Sequence, residues 1–259
     1  MSPVKIIFFD IDGTMIDMKK KVISEKMKET LIKLKESGVL ICIATGRTPV
    51  SMPKFDFVDF DAFLTFNGSY CFNRKDTISS NPIPAEDVKK ILKNAESLGR
   101  PVSIATKERV AANGKDQDLV DYYHIAKLEV VVAEDFDQIA ETEDIYQIMC
   151  GCYKEEYEPM MKHVDGAKIT AWWDRAVDII PATSGKGTGV EKILEYYHLD
   201  KSEALAFGDG NNDIELLQAV GCGIAMGNAS EQLKLIADDI CGHVAEDGIY
   251  HYCLEHGLI

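Results

Sequence analysis

Three short runs of the chain are almost entirely apolar, and each is followed by a small group of polar residues. The runs occupy residues 4–9, 39–43 and 204–207. The polar groups that follow them include Asp10, Thr45 and Asp209. Such runs are typical of strands that are buried on both faces of a parallel sheet. The carboxyl ends of parallel strands meet at one edge of the sheet, where α/β proteins bind their ligands. The sequence therefore predicts an α/β fold with its functional site at this edge.

The middle of the chain has a different pattern from its two ends. Strands and helices alternate along residues 1–80 and 184–259, which together are long enough for one doubly wound, mostly parallel sheet with its helices. Residues 81–183 instead predict an inserted α+β domain. Its predicted helices are 84–99 and 157–163, and its predicted strands are 102–106, 129–132, 145–149 and 168–180, the last folded into a hairpin.

Composition excludes several classes of protein. The 259 residues carry 43 Asp and Glu against 28 Lys and Arg, and the net charge of −15 disfavours binding to nucleic acid or to an anionic membrane. No apolar stretch is long enough for a transmembrane helix, and the apolar run near the amino terminus is too short for a secretory signal. We therefore expect a cytoplasmic protein that binds neither nucleic acid nor membrane. An anionic substrate would need a locally cationic site.

Two aspartates stand at the end of the first predicted strand, in the sequence DIDGT at residues 10–14. Since side chains alternate along a strand, Asp10 and Asp12 can face the same side of the sheet edge. Carboxylates this close repel each other unless a cation is bound, and Mg²⁺ prefers oxygen ligands. Asp209, which follows another apolar run, can complete such a metal site with Asp10. An acidic turn that caps the next element would have a similar sequence, so this motif alone does not decide the matter.

Two further polar groups have donors that suit a phosphate. Thr45, Gly46 and Arg47 follow the second strand with a hydroxyl, a backbone N–H and a guanidinium. After the third strand, Asn212 can donate to a phosphate oxygen, and Asp213 can orient its neighbours. Each group alone could be an ordinary strand-to-helix turn. Three buried strands that all end in complementary polar residues favour one common site.

Lys186 stands between two glycines where the chain returns from the insert. In a chain of net charge −15 it is either a solvated turn residue or a fixed positive charge that offsets phosphate and carboxylate charge at the site. Spacing alone favours neither interpretation. The surrounding sequence lacks the G-x-x-x-x-G-K pattern of a P-loop.

These polar groups, in this order, resemble the four motifs of the haloacid-dehalogenase-like (HAD) phosphatases. Shorter segments at residues 65–68, 223–229 and 246–249 are similar to those of the Cof-type subgroup, which carries a large α+β cap between its second and third motifs. The resemblance implies a Rossmann-like HAD core formed by residues 1–80 and 184–259 and a C2B-type cap formed by residues 81–183. The insert resembles the cap only in its position and size.

The resemblance also implies roles for individual residues. Asp10 would be the nucleophile that becomes an aspartyl-phosphate, and Asp12 would act as acid and then as base. An Mg²⁺ ion would be held by Asp10, the backbone carbonyl of Asp12 and Asp209. The residues expected to contact phosphate are Thr45, Gly46, Lys186 and Asn212. The residues expected to support the site without contacting the substrate are Arg47 and Asp213.

The sequence thus predicts an Mg²⁺-dependent phosphatase of small phosphorylated metabolites, with sugar phosphates as the first candidates. The same motifs would serve a phosphomutase, in which the aspartyl-phosphate returns its phosphate to the substrate. A phospho-accepting signalling module also uses an Mg²⁺-bound aspartate, a threonine and a lysine on a doubly wound sheet, although a large insert has no role there. The sequence leaves the identity of the substrate and the oligomeric state open.

Overall fold

The computed structural model describes residues 3–125 and 128–259, which form two compact units. The first unit contains the chain up to Gly46 together with Pro53–Ser80 and Gly185–Ile259, and the second contains Arg47–Met52 and Asn81–Ser184. The strands are β1 (Ile6–Phe9), β2 (Leu40–Ala44), β3 (Ala62–Thr65), β4 (Tyr70–Phe72), β5 (Thr77–Ser80), β6 (Val102–Ala105), β7 (Val110–Ala112), β8 (Gln147–Gly151), β9 (Ala167–Trp173), β10 (Ala176–Pro181), β11 (Ala204–Gly208), β12 (Cys222–Ala225) and β13 (Asp239–Ile240). The helices are α1 (Glu25–Glu36), α2 (Ala85–Ser97), α3 (Gln117–Ile125), α4 (Phe136–Thr142), α5 (Tyr157–Met160), α6 (Lys186–Tyr197), α7 (Ile214–Gln218), α8 (Glu231–Ile236) and α9 (Gly248–Glu255).

The first unit contains an eight-stranded sheet in the order β13-β12-β11-β1-β2-β3-β4-β5. Neighbouring strands from β13 to β3 are parallel, and β4 and β5 are antiparallel additions at one edge. From β1 the chain moves outward through β2 and β3, and it later returns to β11 and moves outward in the other direction through β12 and β13. The sheet is therefore doubly wound and mostly parallel, as predicted. Its strand order reverses between β1 and β11, and such a reversal leaves a crevice at the carboxyl ends of the two strands.

The three apolar runs of the sequence form the centre of this sheet. Every residue of β1 is fully buried, which explains why the run has no alternating polar positions. In register, Phe9 lies beside Ile43 of β2 and Phe207 of β11, and the rings of Phe9 and Phe207 stack with their centroids 5.5 Å apart. The residues that follow Phe9 and Phe207 therefore leave the sheet side by side.

The second unit contains a five-stranded antiparallel sheet in the order β7-β6-β8-β10-β9. Its core is an apolar cluster that includes Val88 and Ile91 of α2, Ile139 of α4, Ile148 of β8 and Val177 of β10. The predicted hairpin at 168–180 is present as β9 and β10. An α+β composition is therefore correct for this unit, although β7, α3 and α4 were not predicted.

Two predictions within the insert are wrong. Residues 129–132 do not form a strand, because only Val132 pairs, in a single bridge to Ala112. The side chains of Val131 and Val132 are 62% and 52% exposed, so they are not buried as those of a core strand would be. The helix predicted at 157–163 is only Tyr157–Met160, and His163 adopts a left-handed conformation with φ of 61°.

Two features of the whole chain bear on its chemistry. Within residues 3–125 and 128–259, every helix is too short or too polar to cross a lipid bilayer. The cysteines are free thiols, and most of them are buried. Burial raises the pKa of the Cys71 thiol to about 12, which keeps this residue unreactive at neutral pH.

Candidate active site

The reversal of strand order brings Asp10 and Asp209 together. Asp10 follows β1, and its backbone N–H donates to the carbonyl oxygen of Phe207 in β11 at 3.1 Å. Asp209 follows the last residue of β11. Carboxylate oxygens of Asp10, Asp209 and Asp213 all lie within 4.8 Å of one another. The edge of the sheet thus carries three carboxylates in one place.

Lys186 supplies the positive charge of this cluster. It is the first residue of α6 and only 1% exposed, and its ammonium donates to Asp10 Oδ1 at 2.7 Å and to Asp213 Oδ1 at 2.6 Å. Burial lowers the pKa of this ammonium, but the two carboxylates outweigh burial and hold the pKa above its ordinary value. Lys186 is therefore a charged, buried residue of the site. This excludes the interpretation of Lys186 as a solvated turn residue.

Asp213 orders the loop that follows β11. Its Oδ2 atom accepts the backbone N–H groups of Asp209 at 3.0 Å and Gly210 at 2.9 Å, while its Oδ1 atom accepts from Lys186. The side chain is 1% exposed. Because both oxygens have protein donors, Asp213 serves to position Lys186 and Asp209.

The carboxylates of the site hold more negative charge than Lys186 can balance. Burial raises the pKa of Asp10 well above its usual range, and Asp213 and Asp209 add to the rise although Lys186 opposes it. Burial, with the charge of Asp213, also raises the pKa of Asp209 to about 7. Both pKa values rise because it costs free energy to place several anions close together where water solvates them poorly. A bound cation would remove that cost.

The local backbone leaves the oxygens of Asp209 close to the loop that follows β1. The hydroxyl of Thr14 donates to Asp209 Oδ1 at 3.0 Å. Gly13 has a φ of 88°, and a Cβ atom built on it would lie 2.1 Å from Asp209 Oδ2, so only glycine allows this approach. Buried oxygen ligands with excess negative charge fit a hard divalent cation.

Asp12 lies at the edge of this cluster. It is half-buried and forms a backbone bridge with Ile16, and Gly13 N–H donates to the carbonyl of Ile16 at 2.9 Å. The turn that contains Asp12 is therefore tied to the segment that follows it. Asp12 is not one of the three carboxylates that converge on a common point, and the metal role expected for it involves its backbone carbonyl only.

The residues predicted to bind phosphate meet around the loop after β3. Thr45 is buried, and its carbonyl accepts the N–H of Asn67 at 3.1 Å. Gly46 lies against the Asn67 side chain, since a Cβ on Gly46 would be 2.9 Å from Asn67 Oδ1. The amide of Asn212 donates to the same Oδ1 atom at 3.4 Å. Asn67 thus contacts all three residues, Thr45 through its backbone N–H and Gly46 and Asn212 through its side chain.

Asn67 is a site residue that sequence reasoning missed. An Asn-Gly pair is typical of a hairpin turn, and the strands on either side of Asn67-Gly68, β3 and β4, do pair. The turn itself is unusual, because Phe66, Asn67 and Gly68 have φ values of 51°, 52° and 95°. A left-handed conformation costs about 1–2 kcal/mol for a residue other than glycine. Asparagine tolerates it better than most residues, and this preference was the available signal.

A family model described as haloacid dehalogenase-like hydrolase matches residues 7–253 of the chain. The chain belongs to this family. The Bacillus subtilis protein YkrA is 33% identical over 98% of each chain. The B. subtilis 5-amino-6-(5-phospho-D-ribitylamino)uracil phosphatase YitU is 27% identical over 97% of each chain. The solved structure of the HAD subclass IIB sugar phosphatase BT4131 superposes with a TM-score of 0.88 at 27% identity, covering 99% of this chain and 100% of that one.

As a HAD hydrolase, the chain is an enzyme that acts on phosphoric monoesters. HAD phosphatases use a divalent metal, and within the cluster Asp10 and Asp209 offer carboxylate oxygens and surplus negative charge with which to hold one. Arg47, which was predicted to support the site, belongs to the second compact unit. There it donates to the carbonyl of Ser51 at 2.9 Å and so supports the short turn at Pro49–Ser51.

Proposed function

We propose that this HAD hydrolase is an Mg²⁺-dependent phosphatase of small phosphorylated metabolites that works through an aspartyl-phosphate on Asp10. One observation carries the proposal. The Lys186 ammonium is buried between Asp10 and Asp213 at the point where the strand order of the sheet reverses, with Asp209 beside them. This arrangement combines a nucleophilic carboxylate, a fixed cation and oxygen ligands for a metal.

The metal would be held by the carboxylates of Asp10 and Asp209 and by the backbone carbonyl of Asp12. When bound, Mg²⁺ would offset the negative charge of the carboxylates, which otherwise repels a phosphate dianion. The raised pKa values of Asp10 and Asp209 support this assignment, because they express a repulsion that a cation relieves.

Four residues would bind the phosphoryl group. The Thr45 hydroxyl, the Gly46 N–H, the Lys186 ammonium and the Asn212 amide are donors, and a phosphoryl group in transfer carries its charge on oxygens that accept such bonds. Asp213 would keep Lys186 and the loop of Asp209 in place, and Arg47 would act through the turn that it supports. Fixed donors need no rearrangement during the reaction, which is the main source of their effect.

Asp10 and Asp12 would carry out the chemistry in two steps. A carboxylate oxygen of Asp10 attacks phosphorus, the ester P–O bond breaks, and Asp12 gives its proton to the leaving oxygen. Asp12 then takes a proton from water, and the water oxygen attacks phosphorus. The bond between Asp10 and phosphorus breaks, inorganic phosphate leaves, and both aspartates return to their starting forms.

The proposed substrates are phosphates of sugars or sugar-derived chains. YitU is named for a substrate whose phosphate is on a ribityl chain, and BT4131 is described as a sugar phosphatase. Each is 27% identical to this chain over most of its length, so a phosphorylated polyhydroxyl compound is the class to test first.

The cytoplasmic location, the absence of nucleic-acid binding and the limits of the cap at 81–183 stay predictions.

A screen of phosphorylated metabolites with and without Mg²⁺ tests the proposal. Release of inorganic phosphate is measured for hexose, pentose and polyol phosphates, and NMR follows any isomer of the substrate. We expect phosphate release that requires Mg²⁺ and is absent in Asp10→Asn. Formation of a phosphate isomer without release would indicate a mutase instead. A stable phosphorylated protein without turnover would indicate a signalling module.

A further inference from the structure

The loop after β3 has three consecutive residues in a left-handed conformation. Phe66 and Asn67 have φ values of 51° and 52°, although neither is glycine, and Gly68 has a φ of 95°. The turn is held from both ends by backbone bonds, since Asn67 N–H donates to Thr45 O at 3.1 Å and Ser69 N–H donates to Phe66 O at 3.2 Å. The protein therefore keeps a strained backbone here, and such strain is common at functional sites.

This turn contacts three segments of the proposed phosphate site. Two of them contain a proposed ligand, Gly46 or Asn212, and the third directly precedes Lys186. The side chain of Asn67 is only 4% exposed and lies against Gly46 on one side and the amide of Asn212 on the other. Gly68 lies against the backbone before Lys186, because a Cβ on Gly68 would be 2.1 Å from the carbonyl oxygen of Gly185. The left-handed turn is what places one amide side chain among these segments.

We infer that Asn67 is a positioning residue for phosphate binding, an inference that rests on the proposed function. The amide nitrogen of Asn212 has two hydrogens. One is donated to Asn67 Oδ1 at 3.4 Å, which orients the other toward a phosphate oxygen. The Asn212 oxygen faces the backbone of Gly210, at 2.5 Å from a Cβ built there, so this side chain has little room on that side. Asn67 acts through Asn212, and its close packing against Gly46 keeps the Asn67 side chain in place.

The bond between the two amides is long, and it is expected to shorten when phosphate binds. Hydrogen bonds in an active site are often long before the substrate is present. A phosphate oxygen that accepts from Asn212 polarises the amide, which strengthens the second bond of the same group. The effect of Asn67 is therefore expected to be larger on the binding of a transition-state analogue than on the stability of the protein.

A double-mutant cycle between Asn67 and Asn212 tests the inference. The variants are Asn67→Gly, Asn212→Ala and the double variant, and glycine is chosen because it keeps the left-handed backbone without strain. Hydrolysis of 4-nitrophenyl phosphate gives kcat and KM, and calorimetry with orthovanadate in Mg²⁺ gives the affinity for an analogue of the transferred phosphoryl group. Asn67→Gly is expected to lower kcat/KM and vanadate affinity on the order of 10- to 100-fold.

The double variant distinguishes positioning from a structural role. If Asn67 acts through Asn212, the double variant loses no more than about twofold beyond Asn212→Ala. Additive losses, or an Asn67→Gly protein with unchanged vanadate affinity, would overturn the inference. If Asn67→Gly does not fold, the same cycle is run with Asn67→Ala, which also lacks the amide oxygen that accepts from Asn212.

A matched control comes from the same turn. Ser69→Ala removes the hydroxyl that donates to Phe66 O and leaves Asn67 unchanged. It is expected to lower the melting temperature while kcat/KM and vanadate affinity stay within about twofold of the wild-type protein. Equal losses of vanadate affinity in Ser69→Ala and Asn67→Gly would contradict a specific role for Asn67. A wild-type protein that neither hydrolyses phosphate esters nor binds vanadate would instead refute the proposed function, and this inference with it.

Discussion

Lys186 is the residue on which the charge balance of the site depends. Its buried ammonium bonds to Asp10 and Asp213, so one cation both orients the proposed nucleophile and anchors the carboxylate that orders the next loop. A buried ion pair costs desolvation energy, which good geometry and additional hydrogen bonds offset. Here the additional bonds come from the backbone N–H groups that Asp213 accepts. The pair is therefore better explained by a functional role than by a gain in stability.

Replacing Asp10 by Asn tests the proposed nucleophile. The amide is a poor nucleophile of nearly the same shape, so turnover is expected to fall to background, on the order of 1,000-fold or more. The fold should persist, because Lys186 keeps its bond to Asp213. Phosphate release gives the activity, and circular dichroism with thermal unfolding gives the folding control. Wild-type activity in folded Asp10→Asn would show that another group performs the attack.

At the scale of elements, the loop between β3 and β4 holds the beginning of α6 in place. Gly68 combines a φ of 95° with a close approach to Gly185 O, whereas Gly38 has a φ of 85° with open space around it. Gly38→Ala is expected to cost about 1 kcal/mol through the left-handed backbone alone. Gly68→Ala is expected to cost about 3 kcal/mol or more and to lower kcat/KM, because α6 must move.

Urea unfolding and steady-state kinetics of these two variants check this prediction. Their φ values are similar, so the difference between them isolates the contact with Gly185 O. Gly38→Ala should keep its kcat/KM, since this glycine lies at the end of α1. Equal losses of stability in the two variants, with full activity in Gly68→Ala, would show that the close approach does not matter.

Helix α2 of the second unit depends on the carboxylate of Asp87 at its first turn. Asp87 accepts from Lys90 at 2.7 Å and from the N–H of Gly166 at 2.7 Å. The bond from Lys90 and, less strongly, that from Gly166 hold the pKa of Asp87 below its ordinary value despite burial. At neutral pH, Asp87→Asn is expected to lower the free energy of unfolding by about 1–3 kcal/mol.

The sign of the pH dependence follows from that depressed pKa. The unfolded carboxyl binds a proton more readily than the folded one, so the contribution of Asp87 is present above its ordinary pKa of 3.8 and is lost as pH falls through the folded value. The difference between wild type and Asp87→Asn should therefore shrink in acid. Glu86→Gln is the matched control, because Glu86 is exposed in the same turn and pairs with Lys89. A pH-independent difference would rule out the charge as the cause.

The central elements of the fold were predictable because burial on both faces leaves an unmistakable apolar run. Residues 4–9, 39–43 and 204–207 match β1, β2 and β11 within about two residues, which is the usual uncertainty of element ends. The run at 129–132 has the same local character, but the side chains of Val131 and Val132 are exposed. A strand depends on what packs against it, and one short run of sequence does not contain that information.

The candidate site was predictable for the same topological reason. Asp10 and Asp209 follow strands that are neighbours in the sheet, so their approach follows once the strands are recognised. The burial of Lys186 and the role of Asn67 were not predictable, since each depends on distant segments that meet only in the folded chain. An Asn-Gly pair is common in turns, so a turn alone explains why asparagine stands at position 67. The contacts of Asn67 with Gly46 and Asn212 could therefore not be inferred from the sequence.

For the whole molecule, removal of the metal should lower stability. The net charge of −15 includes three carboxylates that converge at one point, so the proposed binding of Mg²⁺ would be coupled to folding. At an Mg²⁺ concentration of about 100 times Kd, the gain in the free energy of unfolding is about 2.7 kcal/mol. Thermal unfolding with Mg²⁺ or with a chelator measures it, at ionic strength matched with NaCl because any salt screens a charged chain.

Protons should compete with the metal in this experiment. Burial, with the charge of Asp213, raises the pKa of Asp209 to about 7, so the stabilisation by Mg²⁺ should be larger at about pH 8 than at about pH 6. In Asp209→Asn the effect of Mg²⁺ beyond that of NaCl should largely disappear. A melting temperature that responds equally to Mg²⁺ in wild type and Asp209→Asn would show that the ion binds elsewhere.

The most direct measurement is to trap the phosphorylated enzyme and locate the phosphoryl group. The reaction with the best substrate and Mg²⁺ is quenched in acid during turnover, and borohydride converts an acyl phosphate to the corresponding alcohol, which peptide mass spectrometry can locate. We expect the modification at Asp10, only when substrate is present, and none in Asp10→Asn. Full turnover with no modified carboxylate, or modification of a different residue, would contradict the account.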